Sequence, residues 1–221
     1  MANSIKELNS KVIECRTCER LVNHREEVAQ KKVRRYQDWE YWGRPVPGFG
    51  DPNARVLLIG LAPAAHGANR TGRMFTGDKS GDWLYQALYD YGFANQPESE
   101  HGNDGLELKD AFITALLRCV PPQNKPLKEE ISNCRPFLEE ELRLLNQVKV
   151  VITLGRLAFE NYCRMKGLKG LSFGHAKIHN LDSGPDIICS YHPSRQNTQT
   201  GRLKWEAWQN VFSEARRLIN S

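Results

Sequence analysis

Four short apolar runs constrain this chain more than any other feature: RVLLIGL (55–61), AFITALL (111–117), VKVVITLG (148–155) and DIICSYH (186–192). Each suits a strand buried on both faces. The stretches between them carry helical signals. A helix is expected from Asp82 to about Tyr91. An amphipathic helix is expected over 127–146, with Ile131, Phe137, Leu138, Leu142 and Leu145 turned inward. Another runs at about 156–166, opened by Gly155, and a last one closes the chain over 201–219. Residues 4–14 form a further short candidate. Strands alternating with helices predict a three-layer α/β/α sandwich with a mainly parallel, four-stranded central sheet. With 221 residues, the whole chain, 1–221, is expected to form one domain.

In such a sheet the ligand site lies beyond the carboxyl ends of the strands. Three unusual loops leave those ends and are expected to converge on one rim. The first is GLAPAAHGANRTGRMFTGD (60–78), rich in glycine, with two arginines and Phe75 as its one large aromatic. It is neither G-x-G-x-x-G nor G-x-x-x-x-G-K-[ST], so neither nucleotide fingerprint applies. A phosphate-binding loop is the bland reading. Phe75 serves equally as a base-stacking ring or as a plug against the body. The second loop is RCVPPQNKP (118–126), whose prolines exclude regular structure and whose tip carries Gln123, Asn124 and Lys125. The third is YHPSRQNTQTGRL (191–203), in which His192 ends a strand and Pro193 turns the chain.

Six cysteines are present. Cys15 and Cys18 form C-x2-C, and Cys119 and Cys134 make a second pair. Cys163, in an expected helix, and Cys189, in an expected strand, read as small buried hydrophobes. The spacing of the first four allows tetrahedral zinc or an iron–sulfur cluster, and by itself favours zinc, the commoner structural metal. The segment 24–42 mixes basic and aromatic residues (Lys31, Lys32, Arg34, Arg35, Trp39, Tyr41, Trp42). It reads as a solvated helix with an aromatic underside, with a DNA-binding patch as the alternative. Segment 43–53 reads as loop. Segment 170–181 is ambiguous between a lid loop and an edge hairpin. Net charge is +5 with a pI near 8.9, compatible with a phosphate-backbone partner without requiring one. No secretory leader and no apolar run of about 20 residues is visible, so a cytoplasmic monomer without membrane contact is expected.

The run GLAPAAHGANRTGRMFTGDKSG, the C-x2-C, the RCVPPQNKP loop and YHPSRQNTQTGRL together resemble the signatures of family 5 (UDGb) iron–sulfur uracil-DNA glycosylases, from Cys15 to about Leu203. Family 4 shares the cysteine arrangement but carries a carboxylate directly after the first strand and an asparagine on the second. Here Leu61–Gly67 holds no Asp or Glu, and the second strand reads Ile113-Thr114-Ala115. Both departures point to family 5.

The resemblance implies an enzyme that excises uracil from double-stranded DNA after flipping the damaged nucleotide out of the stack. It implies a 4Fe–4S cluster on Cys15, Cys18, Cys119 and Cys134. It assigns His192 as donor to the departing base, Asp78 as the carboxylate that positions water, and Asn124 as its helper. Phe75 would stack on the base, and Gly60, Leu61, Ala62 and Pro63 would wall the pocket. Arg70, Arg73 and Lys125 would contact phosphates. Ser194, Arg195, Gln196 and Asn197 would face the DNA, with Arg195 or Gln196 as the wedge. With Ala115 in place of the strand asparagine, the pocket is expected to accept other deaminated bases such as hypoxanthine or xanthine. The competing readings are a non-catalytic iron–sulfur or zinc nucleic-acid-binding protein and a zinc-stapled interaction module without a DNA role.

Overall fold

A computed structural model describes residues 1–221. The four apolar runs form the expected parallel strands: β2 (Val56–Gly60), β3 (Ala111–Ala115), β4 (Val150–Leu154) and β6 (Asp186–Ser190). Two further strands make the sheet six-stranded, in the order β1-β3-β2-β4-β6-β5. Both additions are two residues long, antiparallel and at the edges: β1 (Phe49–Gly50) on β3 and β5 (Ile178–His179) on β6. Neither has a hydrophobic period of its own. The neighbouring strand supplies their pairing, which is why 43–53 reads as loop and 170–181 as ambiguous in sequence.

Helices cover both faces. On one side Val56, Leu58, Ile113, Ile152 and Ile188 pack against Leu84 and Leu88 of α4 (Lys79–Asp90) and Trp208 and Phe212 of α8 (Trp205–Asn220). On the other, Leu57, Ile59, Phe112, Val151 and Ile187 meet Leu138 of α5 (Lys128–Leu144) and Phe159 and Tyr162 of α6 (Arg156–Met165). Alternate residues of each strand thus enter opposite cores, the period-2 rule applied to a sheet covered on both faces. Cys163 and Cys189 are buried in the second core.

The N-terminal α1 (Ile5–Ile13) packs on α5, and α2 (Glu19–Lys31) follows the C-x2-C pair. Lys32, at φ +53°, stops α2, and a 3-10 turn at Arg34–Tyr36 begins a strap over the body. The solvated helix expected across 24–42 therefore ends near its middle. Two short helices punctuate the strand-end loops: α3 (Ala68–Thr71) in the first and α7 (Arg195–Gln199) in the third. The third loop, expected to be a polar loop throughout, thus contains a helix, and α8 begins only at Trp205 rather than at 201. No helix is long and apolar enough to cross a membrane.

Candidate active site

The loops after β2, β3 and β6 meet around a cavity of about 330 Å³, within the size range of small-ligand pockets. Leu61, Ala62, Phe75, Asp78, Asn124, His192 and Ser194 line it, all expected from sequence. Ala64, Met74 and Ser80 line it too and were not anticipated, although their places beside Pro63, Phe75 and Asp78 are a signal of proximity. Gly60 and Pro63 are absent from the lining. Gly60 lies under the Phe75 ring, where an added Cβ would stand 3.0 Å from it, and Pro63 is buried. Ala115 is buried at the end of β3, paired with Gly60.

Phe75 sits at φ +56°, unusual for a bulky side chain, and its ring stacks on His192 with centroids 5.7 Å apart and planes at 29°. His192 follows β6, and its carbonyl accepts from Asn197 Nδ2 at 2.8 Å. Burial of the imidazole lowers its pKa to about 4, so it is neutral at physiological pH. Asp78 caps the N-terminus of α4. Its Oδ1 accepts from the amides of Ser80 (2.8 Å) and Gly81 (3.1 Å), leaving Oδ2 free of protein donors. Burial raises the Asp78 pKa, against the pull of those amides and of Arg70. Asn124 stands at φ +57° beside Gln123 at φ +54°, in the 3-10 turn Pro122–Asn124. Arg20 of α2 holds this turn by donating to the Lys125 carbonyl (3.1 Å) and, through two nitrogens, to Glu130 (2.7 and 2.8 Å).

Two arginines expected on DNA are turned inward. Arg73, 5 % exposed, pairs with Asp104 at 2.6 Å and donates to Ser99 and Thr76, so its charge is satisfied inside the fold. Arg70, 3 % exposed, donates to the carbonyls of His66 and Gly77. Lys125, Arg195 and Gln196, next in sequence to the cavity-lining Asn124 and Ser194, are exposed instead. Ser194 caps α7 through the Asn197 amide, and Asn197 spends its side-chain donor on the His192 loop.

Away from the cavity, Cys15, Cys18, Cys119 and Cys134 line one small recess between α2, α5 and the loop after β3, and none forms a disulfide. No three of them close to the spacing of ligands on a single ion. Donors point at the sulfurs: Arg25 Nη1 at Cys119 (2.9 Å), the Arg118 amide at Cys134 (3.3 Å) and Asn133 Nδ2 at Cys18 (3.6 Å). Arg25 had no sequence signal, because only the packing of α2 brings it to Cys119.

A parallel sheet whose strand-end pocket combines an aromatic ring, a neutral imidazole, a desolvated carboxylate and an amide defines an α/β protein suited to a planar heterocycle beside a hydrolytic centre. The family model of the Uracil DNA glycosylase superfamily matches residues 47–213. The type-5 uracil-DNA glycosylase of Thermus thermophilus is 51% identical over 92% of this chain and 93% of its own length. That of Mycobacterium leprae is 47% identical over 98% and 96%. The type-4 uracil-DNA glycosylase of Sulfurisphaera tokodaii is 26% identical over 77% of this chain and 67% of its own length. The chain belongs to the type-5 branch of the uracil DNA glycosylase superfamily.

Proposed function

We propose that the protein hydrolyses the N-glycosidic bond of uracil in double-stranded DNA and leaves an abasic site for base excision repair. The observation that carries this reading is the convergence of Phe75, Asp78, Asn124 and His192 on one cavity from three separate strand ends. The C1′–N1 bond is out of reach inside a stacked duplex, so the nucleotide is extruded into that cavity. Phe75 offers the face of its ring to the base. As the bond breaks, its electron pair stays with the departing uracil and positive charge develops on the sugar. The neutral His192 N–H donates to the base oxygen, and one such donor supplies roughly 2.7–4 kcal/mol. Asp78 Oδ2 holds the water whose oxygen bonds to C1′ and accepts its proton, while Asn124 helps orient that water. Lys125, Arg195 and Gln196 are the exposed candidates for backbone contacts and for the wedge. No amide side chain stands on β3 to read a pyrimidine edge, which supports weaker activity on hypoxanthine or xanthine.

Cys15, Cys18, Cys119 and Cys134 would hold a 4Fe–4S cluster. Four thiols around one recess, with a guanidinium, an amide N–H and a carboxamide directed at the sulfurs, form a donor set that suits thiolate ligation. When bound, the cluster would supply structural cross-linking, with Cys15 and Cys18 before α2 and Cys134 of α5 tied to Cys119 in the loop that carries Asn124. A brown protein with iron and sulfide supports it; colourless protein with stoichiometric zinc removes it.

The decisive experiment measures free base released from duplexes carrying uracil, hypoxanthine or xanthine. Uracil release that collapses in His192→Ala supports the reading. Duplex binding without any base release would leave a non-catalytic nucleic-acid-binding protein instead.

A further inference from the structure

The segment after α2 has no place in the chemistry above, and Arg70 is a buried cation that chemistry does not use. The two meet. The Arg70 guanidinium lies 3.9 Å from the Tyr36 ring centroid and 4.0 Å from that of Trp39. Those rings stand at 73° to one another and form a corner around it. Cation–π attraction in such a corner offsets part of the desolvation of a charge whose Nη1 has no hydrogen-bond partner.

What Arg70 grips is specific. Nε donates to the His66 carbonyl at 2.8 Å and Nη2 to the Gly77 carbonyl at 3.0 Å. His66 immediately precedes Gly67, which packs against the Asp78 carboxylate so closely that an added Cβ would overlap Oδ2. Gly77 immediately precedes Asp78, and a Cβ there would overlap Arg70 Nη2. One guanidinium therefore fixes both chain segments that bracket the carboxylate. A second cavity, about 390 Å³, is lined by Tyr36, Trp39, Arg70, Gly77 and Asp78, so Asp78 stands in the wall between the strap and the base pocket.

We propose that Arg70 is a positioning residue for Asp78, and that the Tyr36–Trp39 corner belongs to the catalytic apparatus because it holds Arg70 in place. This rests on the reading of Asp78 as the water-positioning carboxylate. The groups facing Asp78 are the Ser80 and Gly81 amides and Asp82 from α4, Arg70 from α3, Asn124 and His192 across the base cavity, and Arg35, Lys79 and Glu100 around the second cavity. Lys79 is paired with Asp82. Arg35 is exposed, so Arg70 is the one buried cation facing the carboxylate, and removing it makes Asp78 somewhat harder to ionise, burial being the larger influence.

The test is single-turnover excision across pH, run on Arg70→Gln, Arg70→Lys, Trp39→Ala, Trp39→Phe and Asp78→Asn. Melting temperature and affinity for a duplex with a stable abasic analogue are measured beside it. Arg70→Gln is expected to lose about 10²-fold in rate, the scale of a small misplacement, with its acid limb moved to higher pH and its affinity kept. Arg70→Lys restores the limb but not the full rate, because one ammonium cannot reproduce the guanidinium's two-carbonyl geometry. Trp39→Ala loses about tenfold, on the same scale of positioning losses, and Trp39→Phe, which keeps a ring face, recovers it. The salt slope of binding stays unchanged, whereas a phosphate contact would lower it by about 1. Arg70 variants that melt earlier but keep the wild-type rate and pH limb, while Asp78→Asn is inactive, overturn the inference alone. An Asp78→Asn protein with wild-type rate overturns the reading beneath it.

Discussion

The rings of Phe75 and His192 lie stacked, 5.7 Å apart at 29°, although one comes from the loop after β2 and the other from the end of β6. The contact closes the cavity on one side with two flat surfaces. It also covers one face of the half-buried imidazole, whose desolvation by the surrounding protein keeps it neutral.

That neutrality sets a pH prediction. The folded His192 pKa, about 4, lies below its ordinary 6.5. Above about pH 5 the residue therefore donates as a neutral N–H, and no rate change centred near 6.5 should trace to it. His192→Ala should lose about 10²–10³-fold in single-turnover rate, the cost of one donor to a developing anion. A wild-type rate that rises with acid around pH 6–7 and loses that rise in His192→Ala would contradict the neutral-donor role.

Asp78→Asn separates activity from stability. An asparagine caps a helix as well as an aspartate, so the Ser80 and Gly81 amides keep their acceptor. The folded Asp78 pKa is raised, so the folded state binds this proton more tightly than the unfolded chain. Its ionisation then costs stability as pH climbs from the unfolded value through the folded one. The variant should be inactive, yet melt at or above the wild-type temperature at neutral pH. Thermal melts at pH 5 and 8 read the difference, and a clear drop in melting temperature at pH 8 would count against a desolvated carboxylate.

Gly67→Ala adds one methyl group where Asp78 Oδ2 now lies. The carboxylate must move, because Gly67 is buried and the helix start behind Asp78 is backbone. A rate loss on the order of 10²-fold is expected, with duplex affinity retained. Unchanged kinetics would show that the carboxylate's position is not critical.

Arg118 and Glu141 form an ion pair at 2.6 Å, with side chains 1 % and 0 % exposed, and Thr114 donates to the same carboxylate oxygen at 2.7 Å. Arg118 also precedes Cys119, and its amide donates to Cys134. Glu141→Leu strands a buried guanidinium and should cost about 3–5 kcal/mol in denaturant unfolding. It should also loosen the cysteine recess and release any bound metal at lower denaturant than wild type. A loss under about 1 kcal/mol would mean that water reaches the pair.

Sequence carried the architecture where one segment's own pattern was enough. β2, β3, β4 and β6 were legible as apolar runs, and α4, α5, α6 and α8 as periodic or capped segments. Edge strands β1 and β5 were not, since two residues have no period and exist only through a partner. The motifs named Phe75, Asp78, Asn124 and His192, and the fold puts all four on one cavity. Arg70 and Arg73 misled, because an arginine in a polar loop reads as exposed, and nothing local reveals that Asp104, Tyr36 or Trp39 will fold over it.

The existence of the four parallel strands, and with it the expectation that three loops leave one rim, was therefore written in local hydrophobic patterning, which acts within a few residues, whereas their order in the sheet was not. The corner around Arg70, the closeness of Gly67 to Asp78 and the convergence of α2, α5 and the Cys119 loop were decided by tertiary packing alone. Desolvation, charge pairing and van der Waals overlap depend on which distant segments share a volume, and that is settled only when the helices close on the sheet.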